Sequence, residues 1–238
     1  MRQAGPRKKT GRLVNIIVPF KLDSTRCARK NVREFHDGKS LLDIAIENLK
    51  KGNHNIYLVH ADSKEIFDIT EKHEVNHIIV NNTSNMWSEV VVDLTDRLLE
   101  AFDENELICL WQCVIPLFWV HNKIEDFFSF AEHVFLNEDN RYKNIESVIP
   151  VYPFKDYLVD RHIQGVNFSP GSWHVPSQNL PELYYITPIC VSTPTVYKKY
   201  KYSYSPNSII WVAKGPYVDI DTEEEFKTAQ TLWKASIG

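Results

Sequence analysis

The sequence predicts an α/β fold in which a mainly parallel sheet carries helices on both faces. Short β-branched runs alternate with longer segments of helical periodicity, which is the pattern that builds parallel sheets. Of the 238 residues, 43% are hydrophobic and 24% are charged, as in ordinary globular proteins. A chain of this length forms one large domain or one domain with an insertion. We therefore assign residues 13–238 to a single α/β domain.

Two periodicities predict the elements in order. Strands are expected where β-branched and apolar residues cluster, at Leu13–Phe20, Asn55–His60, His77–Val80, Leu107–Gln112, Ser147–Val151, Tyr184–Val191, Ser208–Val212 and Tyr217–Ile220. Helices are expected where apolar residues recur three and four positions apart, as in Leu42/Ala45/Ile46/Leu49, Val91/Leu94/Leu98/Phe102 and Ile124/Phe127/Phe128/Ala131. Residues 152–182 follow neither period, so we expect an irregular arm there. The tyrosine-rich stretch 197–206 is interpreted as a basic surface turn rather than a base-stacking segment.

Composition excludes several classes of protein. A net charge of −4 and a pI near 6.1 disfavour a nucleic-acid partner. No apolar run approaches the roughly 20 residues of a membrane span. Residues 1–12 are basic and lack the features of a signal peptide, so we expect a basic, disordered tail on a cytoplasmic protein. The four cysteines form no metal or disulfide pattern and are expected to be reduced and buried (Cys27, Cys109, Cys113, Cys190).

A basic loop follows the first predicted strand. Residues 19–31 read PFKLDSTRCARKN and carry four cationic side chains (Lys21, Arg26, Arg29, Lys30). Ligands of parallel sheets bind beyond the carboxyl ends of the strands, so this loop is a candidate phosphate site. Phosphate loops usually contain glycine, which lets backbone N–H groups approach the anion. This loop has none, and the alternative is a solvated basic turn.

An acidic pair precedes the last helix, in the segment PYVDIDTEEEF (216–226). On a strand, Asp219 and Asp221 would point to one face, and two carboxylates there can hold Mg²⁺ together with substrate phosphates. Thr222 and Glu225 have the spacing of a capping box at the start of a helix. The alternative is that Asp221 and Thr222 only cap this helix while Asp219 is solvated.

Taken together, these segments resemble the acylneuraminate and ulosonate cytidylyltransferases, the family that makes CMP-sialic acid and related CMP-sugars. The family's P-A-R-x-x-S-K-R-x-x-x-K-N motif corresponds to residues 19–31, and its hDhDTxxD motif corresponds to residues 218–225. LWQCVIPLF (110–118) matches its L-L-Q-P-T-S-P-L-R segment, and YLVHADS (57–63) matches the end of its second strand. The four segments occur in the family's order over nearly the whole chain.

The resemblance implies a three-layer, nucleotide-diphospho-sugar-transferase-like (Rossmann-like) domain with an inserted dimerisation arm, and hence a homodimer. It implies Mg²⁺-dependent transfer of the cytidylyl group of CTP to a sialic-acid-like or other sugar acid, with release of pyrophosphate. By motif position it places residues at the nucleotide (Phe20, Lys21, Ser24, Arg26, Lys30, Asn31), with Lys21, Arg26 and Lys30 also catalytic. Gln112 would face the sugar, and Asp219 and Asp221 would bind the metal.

The sequence departs from the family pattern in both halves of the site. Lys21 replaces an arginine, Leu22 and Asp23 replace glycines, and Thr25 replaces a lysine. Phe118 replaces an arginine, and the arm positions expected to grip a sugar carboxylate align with Ser177 and Tyr185. Two alternatives therefore stay open: a catalytically degenerate nucleotide-binding or scaffolding relative, and a nucleotide-sugar glycosyltransferase.

Overall fold

The computed structural model describes residues 14–19, 21–22, 24–52, 54–60, 64–80, 87–136, 141–169 and 176–237, without the side chains of 87–93. Within these ranges the strands are β1 (Asn15–Pro19), β2 (Glu34–His36), β3 (Lys39–Ser40), β4 (Asn55–His60), β5 (Asn76–Ile79), β6 (Ile108–Trp111), β7 (Ser147–Phe154), β8 (Leu183–Ile186), β9 (Ile189–Ser192) and β10 (Ser208–Val212). The helices are α1 (Leu41–Leu49), α2 (Lys64–His73), α3 (Trp87–Ala101), α4 (Phe118–His121), α5 (Ile124–Leu136), α6 (Pro194–Tyr200) and α7 (Glu223–Ile237).

The central sheet is mainly parallel, as predicted. Its order is β10-β7-β9-β6-β1-β4-β5, and β8 pairs with β7 outside this path. β1 pairs in parallel with both β4 and β6, β4 with β5, and β7 with β10. β9 is inserted between β6 and β7 and runs antiparallel to both. The sheet is therefore mixed, with its parallel part centred on β1.

The alternation of side chains along β1 explains the two helical layers. Ile16 and Val18 belong to a large core cluster that also contains buried residues of α1, α5 and α7. Ile17 points to the other face and packs in a cluster with residues of α3 and α6. Successive residues of a strand face opposite sides of the sheet, so an uninterrupted apolar strand needs a helical layer on each side. The three-layer arrangement follows from this burial on both faces.

The structure corrects three element predictions. Tyr217–Ile220 is not a strand; this segment makes one backbone hydrogen bond to a loop, from the Ile220 N–H to the Val114 carbonyl (3.0 Å). Tyr184–Val191 is two strands, β8 and β9, separated at Thr187–Pro188, and proline has no N–H for a ladder. β7 extends to Phe154, into the predicted arm. Leu13 and the predicted N-terminal tail lie outside the described residues.

The tyrosine-rich stretch 197–206 is not a plain surface turn. Tyr197 belongs to α6 and is 1% exposed, and Ser203 and Ser205 are buried as well. Burial holds the pKa of the Tyr197 hydroxyl well above its usual range. The alternation of tyrosine with small residues reflects packing against β9, because the carbonyl of Ser203 accepts a hydrogen bond from the Ser192 hydroxyl (2.8 Å).

The cysteine prediction is confirmed. All four are free and buried. Burial raises the pKa of the Cys113 thiol to about 12, and raises those of Cys109 and Cys190 as well. None of the helices in the described ranges is both long and apolar enough to cross a bilayer.

Candidate active site

The candidate site lies where the parallel strands β1 and β6 end. Ile17 of β1 is level with Leu110 of β6, so the chain leaves both strands at the same edge of the sheet. The basic loop follows β1 at this edge, and Gln112 follows β6 directly. The carboxyl edge of parallel strands is where ligands bind in such folds. Two of the predicted segments are thus neighbours for a topological reason.

The basic loop contacts the acidic segment through Asp221. The Arg26 guanidinium donates to one carboxylate oxygen of Asp221 (2.8 Å), and the Lys30 ammonium donates to the other (2.9 Å). Lys30 also donates to the carbonyl oxygen of Ile220, and only 12% of its side chain is exposed. Two predicted phosphate ligands and one predicted metal ligand therefore meet at one point.

A second ion pair attaches the loop to α7. Arg33 makes two hydrogen bonds to the carboxylate of Glu223, each 2.8 Å long. Its guanidinium lies 3.9 Å from the ring centre of Phe226 and donates to the Cys27 sulfur (3.3 Å). The fork geometry and the ring contact are favourable for arginine in particular. The sequence analysis did not identify Arg33. The available signal was its position, two residues after Asn31 in the same basic loop.

Asn31 has a connecting role inside the protein. It is 7% exposed, its side-chain N–H donates to the carbonyl of Lys21 (3.1 Å), and its side-chain oxygen accepts from the Cys113 thiol (3.3 Å). These bonds join the start of the basic loop to the loop after β6. Asn31 therefore shapes the loop; a direct contact with nucleotide stays a prediction.

The capping alternative for Asp221 is wrong. The hydroxyl of Thr222 accepts from the backbone N–H of Glu225 (3.3 Å), and the Glu225 carboxylate accepts from the backbone N–H groups of Asp221 and Thr222 (2.8 Å each). This is the predicted capping box, and it leaves the Asp221 carboxylate to Arg26 and Lys30. Burial alone would raise the pKa of Asp221, but the two cations lower it below its usual range.

Asp219 lies in a different environment from Asp221. Burial, and then the negative charge of Asp221, raise the pKa of Asp219 to about 6. Its one hydrogen bond within the described residues comes from the Tyr217 hydroxyl, at a long 3.4 Å. A carboxylate that is partly buried beside a second carboxylate is an arrangement that a bound cation would stabilise.

The acidic pair fits a divalent metal only if substrate phosphates and water complete the coordination shell of the ion. No group of three or more potential metal-binding side chains occurs among the residues that the structure describes. Mg²⁺ prefers oxygen ligands and is commonly held by one or two carboxylates together with substrate phosphates and water. Asp219 and Asp221 supply donors of this kind, and Asp221 would have to exchange Arg26 and Lys30 for the metal.

A cleft of about 200 Å³ joins Gln112 to Asp219. Its walls are the ends of β6, β8 and β9 and the segment after α6 (Leu110, Gln112, Ile186, Thr187, Pro188, Ile189, Cys190, Tyr202, Ser203, Tyr204, Asp219). The predicted sugar-facing residue and a predicted metal ligand thus share one cavity. Sequence reasoning missed Tyr202 and Tyr204, because nothing in the local pattern shows that their segment folds back over β9.

Three further predicted residues are less informative. The Lys21 side chain is exposed, and Ser24 is half-buried in the same loop. Phe20 lies outside the described residues, as does Asp23. Phe118, at the position of a family arginine, is fully buried against Trp111 and Trp119. It cannot contact an acceptor.

Comparison with known proteins agrees with the site. Residues 15–118 match the family model described as Cytidylyltransferase, which covers the basic loop and Gln112 but not the acidic pair. No curated protein matches the sequence. The fold resembles CMP:2-keto-3-deoxy-manno-octonic acid synthetase complexed with CTP (TM-score 0.64, 12% identity, 94% of this chain and 100% of that one).

Two more solved structures share the fold. One is 4-diphosphocytidyl-2C-methyl-D-erythritol synthase from Anaerococcus prevotii (TM-score 0.58, 18% identity, 94% of this chain and 97% of that one). The other is a cytidylyltransferase from Leptospira borgpetersenii (TM-score 0.58, 14% identity, 94% and 87%). At these identities the structural likeness shows the fold alone.

The mainly parallel sheet, with its loops gathered at one edge, defines a Rossmann-like fold of the nucleotide-sugar transferase type. Within this class, residues 15–118 match the cytidylyltransferase family model, so this part of the chain is similar to that family. The predicted resemblance is confirmed over these residues.

Proposed function

We propose that this protein is a Mg²⁺-dependent cytidylyltransferase that joins the cytidylyl group of CTP to a hydroxyl of a sugar-like acceptor. The observation that carries the proposal is the meeting of Arg26, Lys30 and Asp221 at the mouth of the site, beside the cleft that Gln112 and Asp219 line. The family match supports the nucleotide half of the proposal. A sugar acid is the acceptor that the resemblance implies.

In the proposed reaction the acceptor hydroxyl oxygen attacks the α-phosphorus of CTP. A new oxygen–phosphorus bond forms, the bond between the α-phosphorus and the bridging oxygen breaks, and pyrophosphate leaves with that electron pair. The hydroxyl proton is released to solvent. Such reactions depend on positioning and on neutralising charge at the phosphates rather than on covalent chemistry by the protein.

The residues of the basic loop have defined parts in this scheme. Arg26 and Lys30 exchange Asp221 for phosphate oxygens, so that their charges neutralise the triphosphate. The Arg33–Glu223 pair and the buried Asn31 amide hold the loop in place while this exchange occurs. Asp219 and Asp221 are the residues that would hold Mg²⁺, and the ion would supply further neutralisation of the negative charge on the phosphoryl oxygens.

The function can be tested directly with the wild-type protein. We expect CTP with Mg²⁺ to raise the melting temperature by about 5 °C at a hundredfold excess over its Kd, and UTP, GTP and ATP to raise it less. Pyrophosphate release with CTP and a panel of sugars and sugar acids measures turnover. Binding of CTP without release from any acceptor would favour the degenerate nucleotide-binding alternative. Equal stabilisation by all four nucleotides would count against cytidylyl transfer.

We also propose a homodimer formed through the arm. In the structure the arm starts at residue 155, directly after the end of β7. The arm exposes apolar side chains at 38–70% of their surface (Tyr157, Leu158, Val159, Ile163, Val166). Ile163 also has a backbone φ of +62°, which is strained for a β-branched residue. Exposed apolar side chains concentrated on one segment are typical of an interface.

Light scattering at micromolar concentration tests the dimer. The wild-type protein should have twice the mass of its 27.8 kDa chain. Val166→Lys places a charge on the exposed apolar segment and should shift the protein towards monomer. Lys155→Ala, at an already charged position of the same arm, should not. A monomeric wild type would contradict the proposal.

A further inference from the structure

We propose that the acceptor is an uncharged, hydroxyl-rich compound, a neutral sugar or polyol, rather than a sugar acid. This inference rests on the proposed cytidylyl transfer and on the cleft between Gln112 and Asp219. It replaces the acceptor that the resemblance implies with one that fits the side chains present.

The cleft has no cationic side chain in its lining. Among the described residues that form it there is no lysine, arginine or histidine, and Asp219 is the one carboxylate. The internal segments outside the described residues carry no lysine or arginine in the sequence either. A carboxylate in a partly enclosed site needs a charge-assisted partner to offset its lost hydration. A sugar acid would therefore find no cationic side chain among the described residues of this lining.

The three positions that align with basic residues of the resembled family hold uncharged side chains. Phe118 is fully buried in an aromatic cluster. Tyr185 stacks on Tyr217 with ring centres 5.2 Å apart. Ser177 begins a short 3₁₀ turn and is exposed. None of these side chains supplies a positive charge, so the departures from the family pattern agree with the composition of the cleft.

The polar groups that remain are suited to neutral hydroxyls. The side-chain amide of Gln112 makes no hydrogen bond within the described residues, and an amide can donate to one hydroxyl while it accepts from another. Tyr202 and Tyr204 meet edge to face at 4.8 Å and add phenolic hydroxyls and ring surface. Aromatic rings pack against the C–H faces of sugars, and hydroxyls hydrogen-bond at their rims.

The size of the cleft supports a small acceptor. Its volume of about 200 Å³ lies below the roughly 300–1,000 Å³ typical of drug-sized ligand pockets. This space suits a small sugar or polyol, while the choice between a neutral compound and an acid depends on the polar groups of the lining.

Matched pairs of acceptors test the inference. Pyrophosphate release would be measured with full-length protein, CTP and Mg²⁺, comparing neutral hexoses and alditols with the corresponding uronic and aldonic acids. We expect at least a tenfold higher kcat/KM for the best neutral acceptor than for its acid. Gln112→Leu should lower kcat/KM for neutral acceptors by about tenfold or more while the CTP-induced rise in melting temperature stays the same. An acid preferred tenfold would overturn the inference.

Two variants test whether a cation in the cleft or a cation of the arm would allow an acid to bind. Tyr202→Arg places a cation in the cleft and should shift the preference towards acids. Arg161→Ala removes an arginine of the arm; loss of acid use in this variant would show that the arm supplies the missing cation, which would also overturn the inference.

Saturation-transfer NMR with the same compounds, in the presence of CTP, keeps the test independent of turnover. Binding of neutral compounds that is lost in Gln112→Leu supports the inference even if pyrophosphate is never released. The absence of pyrophosphate release would contradict only the proposed cytidylyl transfer. Binding of acids only, or of neither class, contradicts the inference.

Discussion

Replacing Lys30 with methionine is expected to lower kcat/KM for pyrophosphate release by about a hundredfold to a thousandfold, the range seen when one fixed donor to a developing charge is removed. Methionine keeps the length of the buried side chain and removes its charge. Lys30 is the less exposed of the two cations at Asp221. Its charge is therefore less screened by water and attracts a phosphate more strongly.

The same loop offers a matched control. Arg29 is also cationic, but it pairs with Glu65 of α2, away from Asp221. Arg29→Met should leave kcat/KM within about threefold of the wild-type value, because exposed ion pairs contribute little. Circular dichroism and melting temperature would show that both variants are folded. Equal losses in the two variants would mean that the loop acts through its net charge, and the specific assignment of Lys30 would be wrong.

Much of the fold was predictable because it depends on local periodicity. The strand β1 and the helices α1 and α5 each have one dominant apolar pattern, and the structure buries those positions. The capping box of Thr222 and Glu225 was also readable, since both partners lie within one turn. Features of this kind are decided by neighbours in the sequence.

The parts that were missed depend on distant neighbours. Segment 217–220 is apolar enough to predict a strand, yet the structure gives it a single backbone hydrogen bond to Val114 instead of a ladder. The turn before it requires Gly215, whose φ is +90° and whose missing Cβ leaves room for the ring of His121. The role of Tyr202 and Tyr204 in the cleft, and that of Arg33 in holding the loop, likewise appear only when separate segments meet.

Asparagine substitutions at Asp219 and Asp221 should both lower turnover, but they should change the free energy of unfolding in opposite directions. Each removes a ligand charge without changing shape, so turnover should fall by about two to three orders of magnitude in either variant. Asp221→Asn loses ion pairs to Arg26 and Lys30 that are partly exposed, and should cost about 1 kcal/mol or less of the free energy of unfolding.

Asp219→Asn should instead stabilise the fold at neutral pH. Burial and Asp221 raise the pKa of Asp219 to about 6, whereas in the unfolded chain the carboxyl ionises near pH 4. Above about pH 6 the ionised group therefore destabilises the folded state, and below about pH 4 both states are protonated and the penalty vanishes. Removing the charge should add on the order of 1–3 kcal/mol at pH 7, and the gain should shrink between pH 6 and pH 4.

The measurements are melting temperature across this pH range and Mg²⁺-dependent pyrophosphate release for both variants. A more stable but inactive Asp219→Asn protein would show that the carboxylate is retained for function at a cost in stability. Wild-type turnover in either variant would remove that residue from the metal site. Loss of stability in Asp219→Asn at pH 7 would mean that its carboxylate already has a favourable partner in the folded protein. The acidic pair would then be a structural feature of the loop, and the phosphate charge would have to be neutralised by Arg26 and Lys30 without it.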